Sequence, residues 1–316
     1  MIDVVALGEL LIDFACVGTD EDGYPTMAAH PGGAPANFLA ALTKYGMKTA
    51  LLGKVGDDTF GKLLIGSLQK AGIETDGIVT DPEIFTTLAF VTIDKTGNRE
   101  FAFARKPGAD TRLRFEELEL SIIDRAQVFH FGTLSLTDEP ARAATYQTVA
   151  YAKSVGKLIT FDPNLRKPLW SSMDAARTQI LWGLAQADVV KISDEEVEFL
   201  WGCSPETGAE KLLDEFGVSL AMVTLGAQGA YLKNRRGACY VKCPKVHPVD
   251  TTGAGDIFGG SALSRLMTLG VAPEDLSVEQ LEQIGSFAST AASLSTERMG
   301  GISSVPEIEQ VLATIG

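Results

Sequence analysis

The segment 2–7 is a continuous apolar run after Asp3, the pattern of a strand buried on both faces. Short strands are predicted at 11–17 and 26–30, around the polar turn 19–25. A helix is predicted from Pro35, whose fixed φ suits a first helical position, to Gly46. Positions 49–55 form another apolar strand, and Asp58 can cap the helix that follows, which runs to Lys70 with Gly72 ending it. Residues 85–93 and 99–105 alternate in polarity and are joined by Asp94-Lys95-Thr96-Gly97-Asn98, a hairpin signal.

Beyond residue 115 the pattern changes. Apolar strands at 127–131, 157–162, 188–192 and 219–225 alternate with helical stretches at 138–155, 174–186, 206–216 and 254–269. That alternation predicts βαβ units and a parallel sheet. The early strands and the hairpin fall outside it. They are expected to form a small separate sheet, a lid of residues 11–30 and 84–106 over a core of residues 1–10, 31–83 and 107–316. Ligands of open α/β sheets bind at the carboxyl ends of the strands, so the lid would cover that crevice. The lid strands have edges that can pair across a homodimer.

The 316 residues carry a net charge of −14, which argues against nucleic acid as a partner and means that a bound polyphosphate needs local cations. Of four cysteines, Cys239 and Cys243 are four apart, but the residues between them read as a strand and no histidine or second cysteine pair completes a zinc site. So few cysteines fit a reducing cytoplasm. Asp3 and Glu9 interrupt any signal-peptide pattern, and no run of 18 or more apolar residues predicts a membrane span.

Candidate chemistry centres on Asp250-Thr-Thr-Gly253-Ala254-Gly255-Asp256. Its small residues let backbone approach a ligand, and the apolar periodicity of Ile257, Ala262, Leu263 and Leu266 starts a helix there. A helix N-terminus with free N–H groups is an anion site. Asp256, on the first turn, suits proton abstraction from a hydroxyl that attacks phosphorus; the plainer reading is a carboxylate that complements the helix dipole. A second signal is Gly32-Gly33-Ala34-Pro35-Ala36-Asn37, where paired glycines and an amide could meet a sugar or simply form a turn. Asp13, amid apolar neighbours, needs a partner, either vicinal hydroxyls or a structural hydrogen bond.

Arg105 ends the hairpin and could reach substrate from the lid, while Asp162-Pro-Asn164-Leu-Arg166, Lys191-Ile-Ser193-Asp194-Glu195-Glu196 and Thr224-Leu225-Gly226 each follow a predicted strand. The acids at 194–196 could hold magnesium through water or form the acidic first turn of a helix. Gly56-Asp-Asp-Thr-Phe-Gly61-Lys62-Leu63 nearly matches a phosphate loop, but its final Leu cannot ligate magnesium and its two aspartates repel phosphate; a helix cap is the better reading. His30, His130 and His247 share no spacing and are assigned no chemistry. No G-x-G-x-x-G follows the first strand, which removes a dinucleotide-dependent dehydrogenase.

Taken together, Gly32-Gly33 through Asn37, then Gly53-Lys-Val-Gly56-Asp57-Asp58 and Gly61, and finally 250–256, resemble the pfkB/ribokinase-like carbohydrate kinases over nearly the whole chain. Within that family, Gly8-Glu9-Leu10-Leu11-Ile12-Asp13, Pro35, 161–166 and 191–196 look like bacterial fructokinases. The resemblance implies a ribokinase-like three-layer α/β core with a mostly parallel central sheet, a β lid, and ATP-dependent phosphorylation of D-fructose to fructose 6-phosphate.

It implies Asp256 as catalytic base and Gly253, Ala254 and Gly255 as anion hole. Asp13, Gly33, Asn37, Arg105 and Arg166 would bind sugar, and Lys191, Ser193, Thr224 and Gly226 would bind ATP. Glu196 would organise Mg2+ through water, and K+ would sit among Asp250, Thr252, Ser295, Arg298, Gly300 and Ser304. The family often has Asn where this chain has Ser193, whose reach is shorter. The alternatives are a sibling kinase of 2-keto-3-deoxygluconate, with Arg105 and Arg166 as carboxylate partners, or of another furanose, and a non-catalytic sugar- or nucleotide-binding protein on the same fold.

Overall fold

The computed structural model describes residues 1–93 and 99–315. In chain order its elements are β1 (Val4–Leu7), β2 (Leu11–Thr19), β3 (Pro25–Gly32), α1 (Ala34–Lys44), β4 (Thr49–Gly56), α2 (Thr59–Lys70), β5 (Ile78–Asp81), β6 (Leu88–Ile93), β7 (Arg99–Ala104) and α3 (Leu120–Asp124). Then come β8 (Val128–Gly132), α4 (Ala141–Ser154), β9 (Leu158–Asp162), α5 (Met173–Leu184), β10 (Val189–Ser193), α6 (Asp194–Trp201), α7 (Pro205–Glu215) and β11 (Leu220–Thr224). The chain closes with β12 (Ala230–Asn234), β13 (Gly237–Val241), α8 (Ala254–Leu269), α9 (Val278–Ser295) and α10 (Ile308–Ile315).

Among the described residues the strands form two sheets, one of nine strands in the order β13-β12-β11-β10-β9-β8-β1-β4-β5, the other of four in the order β3-β2-β6-β7. The large sheet is parallel from β11 to β5 and antiparallel at β11–β12 and β12–β13. Both its faces are covered, which is why β1 is apolar at every position: Val4 and Ala6 join the core under α1, α8 and α9, while Val5 and Leu7 join the core under α4, α5 and α7. The chain leaves β1 toward β4 on one side and returns through β8 on the other, so a crevice opens at the carboxyl ends of β1 and β8.

The small sheet joins β2 to β3 antiparallel, β2 to β6 parallel, and β6 to β7 antiparallel. Phe14 stacks on Phe90 within this sheet at 5.3 Å and meets Phe60 of α2 edge-on at 5.6 Å, an aromatic contact with the core.

The hairpin turn expected at 94–98 lies outside the described residues. Two element boundaries differ from the sequence reading. The strand expected from residue 85 begins at Leu88, because Thr86 is engaged elsewhere: its N–H donates to Asp58 Oδ2 at 2.7 Å, and its hydroxyl accepts from Gly56 N at 3.0 Å. β3 runs on through Pro31 and Gly32, positions expected in the core, since Leu11 and Ile12 keep pairing with them. Asp58 does cap α2, accepting from Phe60 N at 2.9 Å and Gly61 N at 2.8 Å, so the near-match to a phosphate loop is a helix start. The strand read between Cys239 and Cys243 is the end of β13, whereas its partner β12 and the helix α9 fall outside the sequence reading.

Candidate active site

α8 begins beside the mouth of the crevice. Gly253 adopts φ 76°, a left-handed conformation, and no side chain caps this helix. By contrast Asp58, Ser172, Ser193, Ser204 and Ser277 each cap the helix that follows them. Ala254 N donates weakly to Thr251 O at 3.3 Å, while the turn has no side-chain cap to occupy its other backbone donors. Asp256 is buried on that turn, and Asn37 of α1 donates from Nδ2 to its Oδ2 at 2.9 Å. Burial pushes the Asp256 carboxyl upward, opposed by the Asn37 hydrogen bond and by the charges of Lys191 and Arg166.

Asn37 Oδ1 is buried without a hydrogen-bond partner among the described residues, an acceptor aimed at a site where a hydroxyl can donate. The glycines around it leave no room for side chains. A Cβ on Gly253 would lie 2.9 Å from Asn37 Nδ2, and one on Gly301 would lie 2.1 Å from Oδ1. Asp13, on β2, is pushed up to about 7, first by burial and further by the charges of Asp256 and Asp250, with Arg166 opposing. Arg166 is thus the cation acting on both Asp13 and Asp256. A Cβ on Gly32 would fall 2.0 Å from Asp13 Oδ2, and Gly33 (φ 113°) brings its backbone against Glu9 O. Next to these groups a cleft of about 140 Å³ is lined by Asp13, His30, Asp250, Thr252, Gly300 and Gly301.

The ends of β9 and β10 supply a second cluster. Lys191 Nζ lies 3.0 Å from Asp162 Oδ2. Burial pushes Asp162 up to about 7 against the pull of Lys191; burial alone would lower Lys191, but Asp162, Glu196 and Asp256 together hold it charged. Ser193 caps α6, and Glu196 reaches back to it in a reciprocal box: Ser193 N donates to Oε2 at 2.8 Å, while Leu165 N donates to Oε1 at 2.7 Å. Each oxygen of Glu196 retains acceptor capacity beyond these bonds. The acidic 194–196 stretch thus forms the first turn of a helix, as one of its two readings expects. Thr224 closes β11 with its hydroxyl 3.4 Å from Ile192 O, and Gly226 begins the next turn at φ 55°.

Arg105, expected to reach substrate, is engaged by protein on three sides. Its guanidinium pairs with Asp110 at 2.6 Å and donates to Thr137 Oγ1 and Leu134 O, each at 2.8 Å. It ties the end of β7 to the loop after β8. The expected potassium segments do meet: Val249 N and Asp250 N donate to Thr296 O at 2.7 and 3.0 Å, and Gly300 N donates to Asp250 Oδ2 at 2.9 Å. Thr252 donates from N and Oγ1 to Asp250 Oδ1. The hydroxyls of Ser295 and Ser304 donate to Ala292 O and Gly301 O, and the exposed Arg298 reaches Gln310, so these three side chains are engaged within the protein.

Two residues of the crevice escaped the sequence reading. Glu9, directly after β1, accepts from Ala34 N at 2.8 Å and is pushed up to about 7 by burial. Gly301 crowds Asn37 as described. The glycine pair 300–301 and an acid immediately past an apolar strand were the available signals. His130, assigned no chemistry, stacks on Phe38 at 3.8 Å, bonds Thr160 at 2.9 Å, and is driven down to about 3 by burial, so it is a neutral packing group.

A buried carboxylate on an uncapped, glycine-opened helix N-terminus, facing an amide with a spare acceptor, defines a phosphotransferase acting on an alcohol. The chain belongs to the pfkB family carbohydrate kinases, whose family model matches residues 1–308. It is 42% identical to fructokinase-1 of Zea mays over 99% of this chain and 97% of that protein, and 42% identical to fructokinase-1 of Oryza sativa subsp. japonica over 98% and 96%.

Among solved structures, fructokinase from Xylella fastidiosa with bound ATP superposes with a TM-score of 0.90 at 29% identity, covering 100% of this chain and 98% of that one. A double mutant of Vibrio cholerae fructokinase, bound to fructose, ADP and potassium ion, gives 0.87 at 30% identity over 100% and 99%. The architecture is thus ribokinase-like, a mostly parallel sheet with a small second sheet. Among the described residues no helix is long and apolar enough to cross a membrane.

Proposed function

We propose that the protein transfers the γ-phosphoryl group of ATP to the 6-hydroxyl of D-fructose. The observation that carries the reading is Asp256, buried at the start of α8 and oriented by Asn37; the full-length similarity to fructokinases supports the choice of sugar. Asp13, the Gly33 backbone, Asn37 and Arg166 hold the sugar hydroxyls. Asp256 takes the proton of the attacking hydroxyl, whose oxygen forms the new bond to phosphorus as the bond to the ADP oxygen breaks. The amides of Gly253, Ala254 and Gly255 receive the charge of the group in transfer. Thr224, Gly226, Ser193 and Lys191 face the nucleotide. The four-stranded sheet acts as a lid that excludes water as a competing acceptor.

Magnesium bound with ATP would neutralise phosphate charge, and Glu196, with acceptor capacity left on both oxygens, suits water-mediated contact to it. The junction of 249–252 with 295–304, where Asp250 faces Gly300, suits a monovalent cation such as potassium. All four cysteines are free, which suits the cytoplasm. The edge strands of the small sheet suit pairing across a homodimer. A 2-keto-3-deoxygluconate kinase is less well supported, because the guanidinium of Arg105 is already engaged by Asp110, Thr137 and Leu134. A coupled ADP-release assay over fructose, glucose, ribose and 2-keto-3-deoxygluconate tests the assignment. Fructose is expected to give the highest kcat/KM, and preference for the sugar acid would overturn it.

A further inference from the structure

With a net charge of −14, this chain must supply a cation wherever it neutralises a phosphoryl group. The base of the crevice holds acids in excess. Asp162, Glu196 and Asp256 all act on one ammonium, that of Lys191. This lysine rises from β10, and its Nζ lies where a side chain on Gly255 would be: a Cβ built there sits 2.9 Å from Nζ. Gly255 is in the first turn of α8, so the ammonium stands beside the amides that face the group in transfer. Among the described residues Lys191 makes a single hydrogen bond, to Asp162 Oδ2 at 3.0 Å. An ammonium has three donors, so two remain for other oxygens. Asp162 is itself fixed, since its Oδ1 accepts from Asn164 N at 3.1 Å and the residue is buried.

The geometry points to Lys191 as the catalytic cation of the anion hole, donating to an equatorial oxygen of the phosphoryl group in flight, and to Asp162 as the positioning residue that aims it. The inference rests on the kinase reading above and assigns one of its residues a specific task. No proton moves at Lys191. The ammonium gains a stronger interaction as the transferring group flattens between its donor and acceptor oxygens, so its effect falls on the transition state more than on bound ATP. The absence of a side chain at Gly255 acquires a reason beyond backbone approach: a methyl group there would displace the ammonium.

The test compares the parent with Lys191→Met/Asp162→Asn, a pair chosen because Lys191→Met alone would leave a buried carboxylate without its partner. Three quantities are measured for each protein: kcat and KM with fructose, affinity for ADP, and affinity for ADP with fluoroaluminate, a planar mimic of the transferring group. Removing a transition-state donor typically costs about 10²–10³ in kcat. The double variant is expected to lose kcat by that factor with KM for fructose within about threefold of the parent, and to lose affinity for the fluoroaluminate complex far more than for ADP. Asp162→Asn alone, which keeps the ammonium but frees it, is expected to lose part of kcat and to keep fructose KM. Gly255→Ala is expected to fall in kcat as Asp162→Asn does. A folded double variant with parental kcat, or one losing ADP and fluoroaluminate affinity equally, would overturn the inference. A parent that turns over no sugar would sink the kinase reading instead, so the two failures are told apart.

Discussion

Asn37 and Asp256 are 219 positions apart in the chain, yet the amide of one donates to the carboxylate of the other at 2.9 Å inside the protein. One side of Asp256 is thereby fixed, and the Asn37 carbonyl keeps a spare acceptor, the one proposed above for a sugar hydroxyl. The pair links the residue that would remove a proton to one that would hold the molecule losing it.

Replacing Asp256 by Asn keeps the shape and removes the base. We expect kcat to fall by about 10²–10⁴, with ATP affinity retained because backbone amides hold the phosphates. A carboxylate that serves only the helix dipole would change stability by about 0.3–1 kcal/mol and leave kcat alone. Measuring kcat, ATP affinity and Tm on this one variant separates the two roles.

Gly301→Ala should act on the sugar through Asn37. The new methyl would fall 2.1 Å from Asn37 Oδ1, so the amide must move away from the site it shares with Asp256. A displacement of about 1 Å can cost on the order of 10²-fold in rate. We expect kcat/KM for fructose to fall by up to that factor with ADP affinity unchanged; parental kcat/KM would show that Asn37 does not hold the sugar.

Arg105 is expected to matter for stability before catalysis. Its side chain is 2% exposed and pairs with Asp110, which is 3% exposed. Arg105→Met strands that carboxylate in the interior, a change that typically costs about 3–5 kcal/mol. Arg105→Met/Asp110→Asn should recover much of the loss. Denaturant unfolding of both variants checks this, and a parental midpoint for Arg105→Met would refute it.

Glu9 gives a pH dependence with a defined sign. Its carboxyl moves from the ordinary 4.5 to about 7, chiefly by burial, against the Ala34 hydrogen bond and the charge of Arg105. The folded protein therefore keeps a proton that the unfolded chain releases. This contribution to stability is complete below about pH 4.5 and is lost as pH rises through about 7. Glu9→Gln keeps an acceptor for Ala34 N and carries no charge. Its Tm relative to the parent should climb between those two pH values and level off above; a gap that is flat with pH would contradict the burial of Glu9.

Much of this was legible in the sequence because the elements around the crevice are strongly periodic. α8 spans Ala254–Leu269, the limits its pattern predicts, and the four parallel strands from β8 to β11 fall within a residue or two of their apolar runs. α9 stayed hidden because, after Leu281, Ile284 and Phe287, its buried positions turn small and polar: Gly285, Ala288, Ser289, Thr290 and Ser293 blur the hydrophobic period. The small face has a tertiary cause, since a Cβ on Gly285 would press on Leu232 and Val241 of the β12–β13 hairpin. Arg105 misled for a similar reason. The groups that engage it, Asp110, Leu134 O and Thr137, come together only when the loops around β7 and β8 pack. Sequence spacing reports what an arginine could touch, and burial decides what it does touch.

Gly33 is the whole connection between β3, which ends at Gly32, and α1, which begins at Ala34. It is the shortest of the four crossings between the small sheet and the core, the others leaving β1, β5 and β7, and it has no slack to take up a swing. At this crossing any movement of the sheet falls on the bonds of Gly33, four positions before Asn37. A sugar bound as proposed to both Asp13 and Asn37 would brace that crossing from inside, so the cargo would act as its own clasp.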